Sequence, residues 1–173
     1  MKLLPILLLL FLFSCKSTSQ LPAQPDASQR AAIQQTIDQL YAVITIKDGK
    51  APQFREKMEA IFFDQAPFTS LQRQRRISSR DDFISNFEKL IESGRIKNLD
   101  EREMQASIQI FGKVAHCFSS YEMYVEDMSK PADRGINSIQ MIETENGWKV
   151  ISIAWDVEKD GQSLPKDFLP KKP

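Results

Sequence analysis

The stretch Phe111–Val125, FGKVAHCFSSYEMYV, gathers the chain's only histidine, His116, one of its two cysteines, Cys117, and two of its three tyrosines, Tyr121 and Tyr124. An imidazole can take or give a proton near neutral pH, and a thiol attacks once it is ionised. Their spacing argues against joint action, because adjacent positions of a strand point to opposite faces. The same geometry removes them as a pair of metal ligands, so no metal site is read here. Three roles stay open for His116, the best catalytic candidate: a hydrogen-bonded structural histidine, a polar handle in a ligand pocket, or a general base. Cys117 reads as a small buried hydrophobe. The chain has no G-x-S-x-G, P-loop or glycine-rich dinucleotide turn, and no cofactor is implied.

The elements that must position these residues follow from periodicity. Ser28 can cap a helix whose apolar positions are Ile33, Ile37, Leu40, Tyr41 and Ile44, ending near the KDGK stretch at Gly49. A second short helix carries Phe54, Met58, Ile61 and Phe62, and FFDQAPFTSLQ leads from it into a short first strand. Ser79 with Asp82 resembles a capping box and opens a third helix with Phe83, Ile84, Phe87, Leu90 and Ile91, closed by Gly94. From residue 100 the period becomes two: Arg102, Met104, Ala106, Ile108 and Ile110 alternate with Glu103, Gln105, Ser107 and Gln109. Gly112 permits a bend or bulge. In the next strand one face carries Val114, His116, Phe118, Ser120 and Tyr124, the other Ala115, Cys117, Tyr121, Met123 and Val125. Neither face is clearly polar, so the strand is expected to be covered on both sides. The segments INSIQMIET and WKVISIAWDVE complete a meander. Helices first and strands last predict an α+β fold, with helices on one face of a curved antiparallel sheet.

Length and charge bound the rest. The 173 residues, 42% hydrophobic and 27% charged, suit one domain. With 23 basic and 23 acidic side chains the net charge is zero, which removes the broad attraction that nucleic-acid binding uses. RQRRISSR is a local basic exception, with Arg73, Arg75, Arg76 and Arg80, and reads as a solvated loop flank rather than an anion site. The first fifteen residues, MKLLPILLLLFLFSC, place Lys2 before an apolar run too short for an ordinary spanning helix. The run resembles a signal peptide with the lipobox of bacterial lipoproteins, in which the cysteine, here Cys15, is lipidated. Residues 16–27 form a proline-dotted tether. Residues 28–160 form the domain and residues 161–173 a C-terminal extension. Lipidation of Cys15 leaves Cys117 without a disulfide partner. Lys16 and Ser17 stand where an aspartate would retain a lipoprotein at the inner membrane, so the expected address is the bacterial outer membrane, facing the periplasm.

The order α-α-β-α-β-β-β-β, with FGKVAHCFSSYE, RGINSIQMIET and GWKVISIAWDVE, resembles the nuclear transport factor 2-like (SnoaL-like, cystatin-like) superfamily over about residues 30–157. The resemblance implies a cone-shaped pocket between helices and sheet, and often a homodimer through the outer sheet face. Tyr41 stands where a pocket-facing tyrosine of the first helix would be. By the same analogy Ile153 and Trp155 line the cone with Ser138 and Gln140 opposite, and His116 and Phe118 join them. Steroid-isomerase-like members place a carboxylate base on the first strand, but PFTSLQ holds no acid. The place of their partner acid falls near Gln140, whose amide donates a hydrogen bond but transfers no proton. The expectation is a lipid-anchored envelope protein that binds a small apolar ligand or a protein partner without turnover. The alternative is an isomerase, cyclase or dehydratase using His116 and Tyr41.

Overall fold

The computed structural model describes residues 27–170. The expected signal peptide with Cys15, nearly all of the expected tether and the last three residues of the expected extension lie outside the described residues. Ten elements follow one another: α1 (Ala27–Val43), α2 (Phe54–Ile61), β1 (Phe68–Ser70), β2 (Arg76–Ser78), α3 (Arg80–Glu92), β3 (Leu99–Phe111), β4 (Val114–Val125), β5 (Asp133–Thr144), β6 (Gly147–Val157) and a closing 3-10 turn, Lys166–Phe168. No helix among the described residues is long and apolar enough to cross a membrane.

The helices form for the reasons their spacing gives. Ile33, Ile37, Leu40 and Tyr41 make the buried stripe of α1. The helix stops at Val43, and Lys47 and Lys50 bond to each other across a tight turn in which Gly49 has φ 72°. Ser79 caps α3 by accepting from the Asp82 N–H at 3.1 Å. Phe54, Met58 and Ile61 of α2 and Ile84 of α3 are buried against the sheet.

The sheet runs β2-β1-β6-β5-β4-β3. Four of the five strand pairings are antiparallel, but β1 runs parallel to β6, so the sheet is mixed. It curves without closing, and the three helices cover its concave side. Arg76–Ser78, expected as loop, forms the edge strand β2 with β1. Gly112, with φ 56°, makes the tight turn between β3 and β4.

Two bulges set the strand faces, and the first of them corrects the expected alternation of β3. Pairing along β3 and β4 jumps from Glu103↔Tyr121 to Gln105↔Ser120, leaving Met104 unpaired. One extra residue inverts the alternation beyond it. Ala106, Ile108 and Ile110 therefore share the concave face with Glu101 and Glu103, whereas Arg102 points to the convex side, its guanidinium 4.2 Å from the Tyr124 ring centroid. In β6 the partners change from Gln140↔Ser152 to Met141↔Val150, leaving Ile151 as the extra residue. Trp148 and Val150 consequently join Ile153 on the concave face, and all three are buried. The core lies between this face and the helices, with Ile33, Ile37, Met58, Ile84, Cys117 and Ile139 all fully buried.

Candidate functional site

Four elements bring polar side chains into this otherwise apolar interior. The β3 bulge turns Glu101 and Glu103 inward, α1 supplies Tyr41, β4 supplies Ser119 and β5 supplies Asn137. The Asn137 amide donates to Glu101 Oε1 at 3.0 Å and to the Tyr41 hydroxyl oxygen at 3.2 Å. Ser119 Oγ donates to Glu103 Oε1 at 2.5 Å, and Gln34 Nε2 donates to Glu103 Oε2 at 2.7 Å. Since the Ser119 proton goes to Glu103, the 2.6 Å contact between Tyr41 and Ser119 has Tyr41 as donor. The hydrogen bonds thus run in one direction, from Asn137 through Tyr41 and Ser119 to Glu103, with a branch from Asn137 to Glu101. Every member is satisfied, which is what a buried polar network requires.

The two ends differ in what they face. Glu103 is consumed by two donors. Glu101 opens onto a cavity of about 210 Å³, walled by apolar side chains such as Leu40, Met58 and Ile153 and by the polar groups of Gln72, Tyr121 and Asn137. Burial pushes the Glu101 carboxyl up from its ordinary 4.5 to about 7, against the Asn137 hydrogen bond, which favours the charged form. Burial likewise raises the Tyr41 and Tyr121 hydroxyls far above the ordinary tyrosine range. Near neutral pH, then, one carboxyl in an apolar cavity can either accept or donate a proton, and both tyrosines beside it donate only hydrogen bonds.

The residues singled out by sequence divide between the two faces of the sheet. Ile153 and Trp155 line the cavity, and Tyr41 stands behind it in the network. His116, Phe118, Ser138 and Gln140 lie on the convex face, because the cross-strand pairs His116↔Gln140 and Phe118↔Ser138 alternate with the buried pair Cys117↔Ile139. The His116 Nε2 atom is 3.1 Å from Ser138 Oγ, and its ring meets Phe118 edge-on at 4.8 Å. His116 and Gln140 border a shallow surface cleft with Phe111 and Ile151. His116 and Tyr41 are therefore on opposite sides of the sheet and cannot act on one substrate in the cone. Cys117 is fully buried, and burial pushes its thiol up to about 12, so it is not a nucleophile at neutral pH. Among the described residues no group of three or more His, Cys, Asp or Glu is arranged to hold a metal ion.

Glu101, Glu103, Ser119, Asn137 and Gln72 were not singled out by the sequence. Leu99, Glu101 and Glu103 do alternate with Asp100 and Arg102, which puts both acids on the face of an apolar residue. That local pattern was outweighed by the longer run from Ala106 to Ile110, because a bulge leaves no mark in the letters.

No family model and no curated protein matches the chain. Solved structures do. A nuclear transport factor 2-like superfamily protein from Salmonella enterica serovar Typhimurium matches with a TM-score of 0.60 at 12% identity, over 76% of this chain and 92% of that one. An NTF2-like protein from Cytophaga hutchinsonii matches with a TM-score of 0.59 at 17% identity, over 75% and 98%. A protein of unknown function with a cystatin-like fold from Nostoc punctiforme matches with a TM-score of 0.59 at 13% identity, over 77% and 93%. At such identities the likeness speaks for fold alone, and it agrees with the bent mixed sheet and the three helices that enclose its concave side. The described residues of this chain have the nuclear transport factor 2-like, cystatin-like fold.

Proposed function

We propose that the domain is a binder of a small, mainly apolar molecule, held in the cone and oriented by Glu101. The observation that carries this reading is the cavity itself: a mainly apolar recess with a few convergent polar groups and one carboxyl of raised pKa. A core built only for stability gains nothing from a carboxyl held largely out of water beside an open space. Titration of the full chain with 1-octanol, a neutral probe, tests it. Calorimetry should give one site per chain, and Met123→Trp, which places an indole in the cavity wall, should weaken binding at least tenfold while circular dichroism stays unchanged. Equal binding to both proteins, or to neither, overturns the reading.

A second reading rests on the same carboxyl. A group that is half protonated near pH 7 is suited to general acid–base catalysis, and the enzyme alternative now centres on Glu101 in place of His116. Such an enzyme would exchange a ligand's acidic C–H with D2O in the wild type and not in Glu101→Gln, with binding retained in both. Absence of exchange in the wild type favours binding without turnover.

We also propose that Cys15 anchors the domain to a bacterial envelope membrane, supported by the lipobox-like MKLLPILLLLFLFSC and the polar tether after it. Cys15→Ala should move the protein out of the membrane fraction. An unchanged distribution would refute the anchor.

A further inference from the structure

Beside the cone lies a second, larger hollow of about 770 Å³, open to solvent. The two adjoin along Phe68, Gln72, Phe83, Phe87 and Trp155, which line both. The shared rings pack on one another: Phe68 and Phe83 stack at 4.4 Å, Trp155 meets Phe83 edge-on at 6.2 Å, and Phe87 stacks at 4.6 Å on Phe54 behind it. Around the hollow stand four cations from three places in the chain: Arg73 and Arg76 from the β1–β2 hairpin, Lys89 from α3 and Arg95 beyond its end. No carboxylate lines it.

The charge is not spent within the molecule. Ion pairs among the described residues engage Arg55, Arg80, Arg102, Arg134 and Lys159, and none of these four. Arg95 bonds only to the neutral Ser93 hydroxyl. Of the nearby acids, Glu88 pairs with Arg55 and Asp81 with Arg80, and the exposed Glu92 forms no ion pair with Lys89 or Arg95. In a chain of zero net charge, four unpaired cations ringing one aromatic-walled hollow is a local excess with a chemical meaning. Guanidinium groups present paired donors to carboxylate and phosphate oxygens, and a lysine adds a mobile point charge.

We infer that the ligand is an anionic amphiphile, its apolar part in the cone and its carboxylate or phosphate head held at the rim by Arg73, Arg76, Lys89 and Arg95. This rests on the cone-binding reading above and adds the head group to it. The division of labour follows the walls: the inner cavity is mostly apolar and includes the carboxyl of Glu101, which would oppose an anion placed beside it, whereas the outer hollow offers only positive charge.

The test compares octanoate, octyl phosphate and 1-octanol on the full chain by calorimetry at low salt. Octanoate or octyl phosphate should bind at least tenfold more tightly than 1-octanol, and the double variant R73Q/R76Q should lose that advantage while binding 1-octanol as the wild type does. The preference should also fall as salt is raised. If 1-octanol binds as tightly as both anions, the head-group inference fails and the cone reading stands. Binding of none of the three defeats both. An anion preference that survives R73Q/R76Q overturns the assignment to this rim. If anionic phosphatidylglycerol vesicles sediment the protein while monomeric octanoate and octyl phosphate do not bind, the rim is a membrane contact and the inference is overturned.

Discussion

Glu101 is protonated or ionised according to how far the fold keeps water from its carboxyl. With the folded value raised from 4.5 to about 7, native and unfolded chains are both protonated below about pH 4.5 and the group costs nothing. Between those values the unfolded chain releases its proton first, so stability falls as pH rises, and above about 7 the cost is constant. At about 1.36 kcal/mol per pH unit the whole loss is bounded at roughly 3 kcal/mol. Denaturant unfolding of the wild type and Glu101→Gln across pH 4 to 8 should show the difference between them changing in favour of Gln as pH rises, and parallel curves would refute the raised carboxyl. Gly135 is a different kind of residue: a Cβ there would lie 2.3 Å from the Asp156 carbonyl oxygen and 2.7 Å from the Tyr121 hydroxyl oxygen. Gly135→Ala should therefore cost about 1–3 kcal/mol through overpacking, and a loss below 0.5 kcal/mol, on the order of an ordinary surface change, would contradict that contact.

Among the elements, α3 matters most to the proposed site, because it carries Phe83, Phe87 and Lys89 to the cone and its rim. Its start depends on Ser79, and Ser79→Ala should cost about 1 kcal/mol. Thermal unfolding that is unchanged by Ser79→Ala would show that tertiary packing alone sets this helix. The helices and strands were readable from the chain because burial imposes a period of 3.6 or two on the residues that pay no other role. What could not be read was which face of the sheet a strand presents. Met104 and Ile151 each add one residue to a ladder, and a single extra residue exchanges inside for outside. His116 lies on the convex face for a related reason. Its strand carries apolar groups on both faces, so the alternation gives two candidate interiors, and only the pairing of Cys117 with Ile108 and Ile139 decides between them. The basic rim was half visible as RQRRISSR, but Lys89 and Arg95 join it only through the packing of α3.

At the scale of the molecule, the convex face is partly covered by the chain itself. Phe168 reaches back so that its carbonyl accepts from Ser120 Oγ at 2.6 Å, with its ring 6.1 Å from that of Phe118. Farther along the same face Phe111 and Val114 are 81% and 51% exposed, and we propose that a second copy of the chain covers them. Phe111→Asp should then lower the mass seen in sedimentation equilibrium from dimer to monomer. A wild-type chain that sediments as a monomer at tens of micromolar would dismiss the dimer without touching the cone. The cone faces away from this surface, toward the three helices, so the proposed ligand site and the proposed self-association surface lie on opposite sides of one sheet. A crystal structure of the chain grown with 1-octanol tests the central claim most directly. The account predicts the alkyl chain between the helices and Ile153, with its hydroxyl near Glu101 or Gln72. A cone closed by its own side chains, with octanol absent or seated beside His116 on the convex face, would contradict it.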